Sequence, residues 1–362
     1  MPSARAPPSP TSGEGSRPQP GPLTVPRILF FADAGPEIGG GHVMRCLTLA
    51  RALTDLGADC AFAAPPAAMR LLETFAPAEI ERLPLPNGAP SRLAAAIADL
   101  ARTWRAQGAV LDHYGVGPGE EAMIRTGVHR LLVLDDMKRG HLCDLVLDSN
   151  LHRTAADYPG CESLTGPTYA LVRPEFTALR AETLARRSSA EPRRVLIALG
   201  LTDVGGITAR VLEALAPSLG DLQVDIVLGQ SAPSLAALAP LASRDPRLTL
   251  HVDTTEMAAL TAAADIAIGA GGSSVWERCC LGLPTLTLVL AGNQREAATH
   301  LAALGATAML EVGDADFAER LADAFSTLRT DPPCLIEMST AASAICDGRG
   351  ATKVAERLLA IL

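Results

Sequence analysis

From Arg27 onward the chain repeats one unit many times: a short apolar run, a glycine-rich or polar turn, then a segment whose apolar residues recur at helical spacing. RILFFA (27–32) is apolar at every position and too short for a helix, which predicts a buried strand. Val43, Cys46, Leu47, Ala50, Leu53 and Leu56 then share one helical face up to Gly57. Further strands are predicted at 60–64 (CAFAA), 108–112 (GAVLD), 130–135 (RLLVLD) and 144–148 (DLVLD). Runs without alternation have no solvent face, so they fit a parallel sheet covered by helices on both sides.

The segment 174–192 (PEFTALRAETLARRSSAEP) is charged and ends in a Ser/Pro cluster, directly before a new strand at 194–200 (RVLIALG). The same grammar resumes there, with strands near 223–228, 248–252, 265–269 and 284–290. The expectation is an α/β protein of two Rossmann-like domains, 27–188 and 189–362, whose sheets turn their carboxyl ends toward a shared cleft. The halves share this architecture but no alignable repeat. Residues 1–26 hold eight Pro, four Ser and three Gly and are expected to form a disordered tail.

Composition narrows the function classes. Hydrophobic residues at 48% exclude a disordered chain, and aromatics at 3% leave a core of Ala, Leu, Val and Ile. The net charge of -9 argues against a nucleic acid or an anionic membrane surface as partner, but says nothing of a local anion pocket. The eight cysteines form no C-x-x-C pair, so neither a zinc ribbon nor a disulfide framework is expected. No charged-then-apolar leader opens the chain and no apolar stretch reaches the roughly 18 residues of a membrane span, so the expectation is a soluble, cytoplasmic protein.

Two glycine loops carry the candidate chemistry. Asp33, Gly39-Gly40-Gly41-His42 and Arg45 lie between the first strand and the helix beginning near His42. Glycines let backbone approach a ligand, and an imidazole, with an ordinary pKa of about 6.5, can take a proton from water at neutral pH. The plainer alternative is a helix-end histidine that merely bonds a turn. In DIAIGAGGSSVWERCCLGLP (265–284), Gly271, Gly272, Ser273 and Ser274 follow a strand and open a helix bearing Glu277. Backbone amides, two hydroxyls and a positive helix end suit a diphosphate without a metal, and Glu277 suits a ribose diol. The alternative is a tight turn with Ser273 as cap and Glu277 as a solvated acid. Asp112-His113-Tyr114-Gly115 and Asn293-Gln294 also follow strand ends, where α/β proteins place ligands. Asp135-Asp136 reads as structural, with no ligand spacing to suggest a metal, and His129, His141, His152, His251 and His300 have no partners at ligand spacing.

Together the segments ADAGPEIGGGHVMRCLTLA (32–50), DHYG (112–115), LVLDD (132–136), YALVRPEF (169–176), GAGGSSVWERCCLGLPTL (269–286), NQREA (293–297) and DGRGA (347–351) resemble the UDP-sugar hydrolases of pseudaminic acid biosynthesis, the PseG family. The resemblance runs in order from about Arg27 to the C-terminus. It implies a GT-B fold, related to glycosyltransferases of the lipid II synthase type. It further implies hydrolysis of UDP-2,4-diacetamido-2,4,6-trideoxy-β-L-altropyranose to UDP and free sugar, with water as acceptor and no cofactor or metal, in a pathway that serves flagellin glycosylation. By motif match His42 is the general base, and Tyr114 and Asn293 lie near the sugar. Asp33, Gly40, Gly41, Arg45 and Gln294 fall in the matching substrate segments, Gly271, Gly272, Ser273 and Ser274 match the pyrophosphate loop, and Glu277 the ribose acid. Two positions depart from the family pattern. Ala32 stands where members commonly carry Arg, and Gly200-Leu201-Thr202-Asp203 replaces a Gly-Gly-x-Asp turn, which predicts less freedom for positive φ there. The rival readings are a GT-B glycosyltransferase using a UDP-sugar and a non-catalytic UDP-sugar-binding protein; sequence does not fix the oligomeric state.

Overall fold

The computed structural model describes residues 25–35, 38–187 and 191–362. The tail expected to be disordered lies outside them except for Val25 and Pro26, as does the boundary expected between 188 and 189.

Among the described residues the first half forms a seven-stranded sheet. It contains β1 (Arg27–Ala32), β2 (Asp59–Ala64), β3 (Glu81–Pro84), β4 (Gly108–Asp112), β5 (Arg130–Leu134), β6 (Leu145–Asp148) and β7 (Glu162–Thr165). The order is β3-β2-β1-β4-β5-β6-β7, parallel throughout. Helices α1 (Gly41–Asp55), α2 (Pro66–Phe75), α3 (Pro90–Trp104) and α4 (Pro118–Ile124) connect its strands, and α5 (Pro174–Arg187) leads out of it. The second half forms a six-stranded parallel sheet of β8 (Arg194–Ala198), β9 (Gln223–Leu228), β10 (Leu248–Val252), β11 (Ile266–Ala270), β12 (Thr285–Val289) and β13 (Ala308–Glu311), ordered β10-β9-β8-β11-β12-β13. Its helices are α6 (Ile207–Leu215), α7 (Leu235–Ala242), α8 (Met257–Ala263), α9 (Ser274–Cys280), α10 (Gly292–Ala303), α11 (Phe317–Thr330), α12 (Pro332–Ile345) and α13 (Gly350–Ile361).

The continuous apolar runs are explained by burial on both faces. In β1, Ile28, Phe30 and Ala32 enter the core under α1, while Leu29 and Phe31 enter the opposite core beneath α3. In β8, Val195 and Ile197 face one core and Leu196 another. Strands β3 (ERLP), β7 (ESLT) and β13 (AMLE) escape the hydrophobic pattern for a common reason: each is four residues long and sits at a sheet edge, so it lacks a doubly buried run.

Two helices tie the halves together. Arg180 and Arg187, seven residues apart on α5, donate to carbonyls of the second half: Cys280, Ser343 and Cys346 for Arg180, Thr261, Ala264 and Leu281 for Arg187. In return, α13 lays Val354, Ala355 and Leu358 into the core shared with α1. Each fully buried Val or Leu there is worth about 1.5–3 kcal/mol, so this crossing resists separation of the halves.

Both sheets reverse their strand order once, between β1 and β4 and between β8 and β11. Ligands of open α/β sheets bind beyond the carboxyl ends of strands at such points. The glycine loops after β1 and β11 start there.

Candidate active site

Ala32 pairs with Asp112 across β1 and β4, so the glycine loop and the Asp112–Gly115 segment leave the sheet side by side. Helix α1 then brings His42 and Arg45, one turn apart, against Asp112. Asp112 is 1% exposed and accepts from His42 Nδ1 at 2.5 Å, Arg45 Nε at 2.5 Å and Arg45 Nη2 at 2.6 Å. Burial alone raises a carboxyl pKa, but the charges of Arg45 and then His42, with hydrogen bonds from both, hold Asp112 well below the usual carboxylate range. A carboxylate can only accept, so Nδ1 carries the imidazole proton and Nε2 is left as the basic nitrogen.

A second chain of contacts crosses to the other half. Arg45 Nη1 donates to Asp136 Oδ2 at 3.1 Å, the Tyr114 hydroxyl donates to the same oxygen at 3.1 Å, and Asn293 Nδ2 donates to that hydroxyl at 2.7 Å. Burial, and then Asp136, push the Tyr114 pKa upward, so the phenol stays protonated. The Tyr114 ring meets His42 edge-on, with centroids 4.6 Å apart.

These groups border a cleft between the halves. Arg45, Asp136, Ser149 and Asn150 line it from one side, and Gly271, Gly272, Ser273, Trp276, Asn293 and Gln294 from the other. His42 and Tyr114 stand beside this lining, His42 sharing the Asp112 carboxylate with Arg45 and Tyr114 bonded by Asn293. The two glycine loops meet: a Cβ on Gly41 would lie 3.7 Å from Ser273 Oγ, and one on Gly40 3.6 Å from Leu201. Gly271 is held close by α10, since a Cβ there would come within 3.0 Å of Gln294 Cβ, and Gln294 Oε1 accepts from the Leu290 amide. Helix α9 starts without a side-chain cap, which removes the alternative of Ser273 as a capping side chain. Helix α10 also starts without one, so two helix starts with no side-chain cap flank the cleft.

Several sequence expectations are revised. Glu277 is not the solvated acid of the plainer alternative: Arg173 donates to both of its oxygens, Nε at 2.6 Å and Nη2 at 2.9 Å, which leaves their outer lone pairs for a ligand. Arg45 lines the cleft, but each of its nitrogens already faces a carboxylate. Asp33 lies outside the lining, with His113 at 3.6 Å, and its amide donates to the Asp112 carbonyl. Asp135 and Asp136 part company. Both line the cleft, but Asp135 is bonded by Arg139 and Tyr158, whereas Asp136 keeps Oδ1 buried and without a partner. Four histidines without sequence partners have spatial ones: His141 bonds Glu121, His251 bonds Asp225, and His152 and His300 meet each other. The altered turn at 200–203 needs positive φ only at Gly200 and Asp203, so Leu201 and Thr202 impose no strain. Ala32 packs into the core beside Phe30 and is 2% exposed. Asp112 and Asp136 were visible as strand-end acids, but nothing in one sequence states that both turn toward Arg45. Among the described residues no cluster of His, Cys, Asp or Glu is arranged to hold a metal, and no helix is long and apolar enough to cross a membrane.

Residues 219–358 match the glycosyltransferase family 28 C-terminal domain. The chain is 28% identical over 287 residues to the UDP-2,4-diacetamido-2,4,6-trideoxy-β-L-altropyranose hydrolase of Campylobacter jejuni, covering 77% of this chain and 97% of that one. Among solved structures, Acinetobacter baumannii MurG superposes with a TM-score of 0.64 at 20% identity, over 92% of this chain and 99% of that one. The chain has the GT-B fold and is similar in sequence to the PseG hydrolase. It is also 26% identical over 349 residues to the pyrophosphoryl-undecaprenol N-acetylglucosamine transferase of Alkalilimnicola ehrlichii, across 88% of this chain and 94% of that one. Like this PseG relative, that protein spans nearly the whole GT-B frame, so the frame alone does not separate hydrolysis from transfer.

Proposed function

We propose that this chain is an enzyme acting on a UDP-sugar, and that it hydrolyses a diacetamido-trideoxyhexose nucleotide of the altropyranose type to UDP and free sugar. The observation that carries the reading is the His42–Asp112 pair at the edge of a cleft whose opposite wall holds Gly271, Gly272 and Ser273. His42 Nε2 takes a proton from water as its oxygen bonds to the anomeric carbon, and the bond from that carbon to the diphosphate oxygen breaks with its electron pair leaving on UDP. Asp112 holds the tautomer and stabilises the imidazolium that forms. Backbone amides of the loop and the starts of α9 and α10 face the charge that develops on the leaving diphosphate. Tyr114 and Asn293 connect the two walls, so they set the closed position of the sugar. Asp136 Oδ1, buried and without a partner, suits an N–H or O–H donor on that sugar. Under this reading the protein works in the cytoplasm, in supply of pseudaminic acid.

The match over 219–358 favours a second reading, transfer of the sugar to a hydroxyl acceptor. Incubation with the altropyranose-type UDP-sugar in ¹⁸O water decides between them. Hydrolysis gives free sugar labelled at the anomeric oxygen and unlabelled UDP, without any acceptor and at the same rate with a chelator present. Label in the phosphate, or no turnover until an acceptor is added, overturns the proposal.

A further inference from the structure

Behind the 271–274 loop lies a buried cation that makes no ion pair among the described residues, although the charge of Glu277 acts on it. Arg278, on α9, is 4% exposed. Its Nη1 donates to Ser274 Oγ at 3.0 Å and its Nη2 to the Ala270 carbonyl at 2.7 Å, while Nε is buried without a partner. No carboxylate among the described residues pairs with it, because the neighbouring acid, Glu277, is held by Arg173. Arg187 is also buried and has no acid at bonding distance among the described residues, yet three carbonyls take up its three nitrogens. The packing keeps Arg278 in place, since a Cβ on Gly269 would fall 2.5 Å from its Cζ. Glycine at 269 therefore leaves room for a flat guanidinium against β11.

A buried charge without an opposite charge is costly, and a fold that served only itself would gain by replacing it with an apolar side chain. Burial presses the Arg278 pKa down to about 10, which leaves it charged at neutral pH. Both of its acceptors, Ala270 and Ser274, flank the three residues of the loop that line the cleft. Ser274 Oγ receives its bond from Arg278, so its own O–H is free to donate.

We infer that Arg278 is a positioning residue for the leaving diphosphate: its charge is the internal counter-ion of a dianion on the 271–274 loop, and it orients the Ser274 hydroxyl to donate to a phosphate oxygen. The inference rests on the reading that a UDP-sugar occupies this cleft, and it adds that affinity for the diphosphate, rather than for the nucleoside, depends on a side chain that does not line the cleft.

The test is calorimetric titration of the full chain with UDP, uridine and inorganic pyrophosphate. R278M is expected to weaken UDP and pyrophosphate by about tenfold or more, the scale of one charge-assisted hydrogen bond, while uridine changes by less than about twofold. R278K, which keeps the charge, is expected to retain most of the UDP affinity. A purely structural arginine predicts a different pattern: a lower melting temperature of the ligand-free R278M protein, with UDP and uridine weakened together. That pattern, or UDP binding unchanged in R278M, overturns the inference while leaving the proposed function intact. Wild-type protein that binds neither UDP nor pyrophosphate overturns both. If R278M fails to fold, S274A decides: a loss of UDP affinity of about threefold or more with uridine unaffected supports the relay, and equal UDP affinity removes it.

Discussion

The carboxylate of Asp112 receives the Nδ1–H of His42 at 2.5 Å and the fork of Arg45 on both oxygens, so one buried acid fixes both the tautomer and the orientation of the imidazole. If His42 is the base that activates water, its tautomer and aim depend on this acid. Asp112→Asn is expected to lower kcat by about 10²–10⁴-fold with little change in KM, and His42→Ala by a similar amount. The double variant is expected to be no worse than the poorer single one, since the two act as a unit. Steady-state kinetics on the three proteins check this; losses that multiply in the double variant separate the two residues.

The same acid makes a prediction for stability. Its folded pKa is depressed, so its stabilising contribution is present above the unfolded carboxylate value of about 3.9 and is lost as pH falls through the lower folded value. Wild-type protein is therefore expected to lose stability in acid more steeply than Asp112→Asn below about pH 4. Urea midpoints from pH 3 to 6 measure the difference, and parallel curves contradict it.

Tyr114 and Asn293 come from different halves and meet at 2.7 Å, with the tyrosine also donating to Asp136. A contact that spans the cleft should act on cleft closure as well as on the sugar. Tyr114→Phe and Asn293→Ala are each expected to reduce kcat/KM by about 10–100-fold, with a coupling energy between them of about 0.5–3 kcal/mol. Additive losses in a double-mutant cycle would show that the two residues serve the substrate independently.

Much of this site was legible in the sequence because strand-to-helix glycine loops mark where α/β sheets bind ligands. His42, Gly271 and Ser273 are placed by that logic alone, and the continuous apolar runs identified the inner strands. The pairing of acids with bases was not legible. Arg173 lies 104 residues from Glu277, and Asp112 lies 70 from His42, so neither pair leaves a local spacing. Edge strands such as β7 were hidden for a related reason: a strand buried on fewer sides has a mixed composition. Arg278 was overlooked because a charged residue in a helix reads as solvated until its burial is known.

Glu277 and Arg173 connect α9 to the segment entering α5 and occupy each other's best hydrogen-bonding positions. If the outer lone pairs of Glu277 still accept a ribose diol, the arginine fixes the carboxylate in the orientation that allows it. Glu277→Gln and Arg173→Met are then both expected to lose the preference for UDP over its 2′-deoxy analogue. Competition binding with the two nucleotides tests this, and an unchanged preference in Glu277→Gln removes the ribose role.

His141 is buried between two acids, with Nδ1 at 2.6 Å from Glu121 and Nε2 at 3.6 Å from Asp135. Burial alone would lower its pKa, but the nearby Asp135 carboxylate, the hydrogen bond to Glu121 and the charges of both outweigh it and raise the value to about 9. The folded protein thus holds this proton more tightly than the unfolded chain, whose histidines titrate near about 6.5. Its contribution is fully present below about pH 6.5 and is lost as pH rises through about 9. Asp135 does not blur this window: its own depressed pKa makes its contribution constant at neutral and alkaline pH. Urea midpoints of the wild type are therefore expected to fall between pH 6.5 and 9.5, while His141→Gln is less stable at pH 6 and nearly flat across the same range. The same downward slope in His141→Gln would assign the alkaline loss to another group.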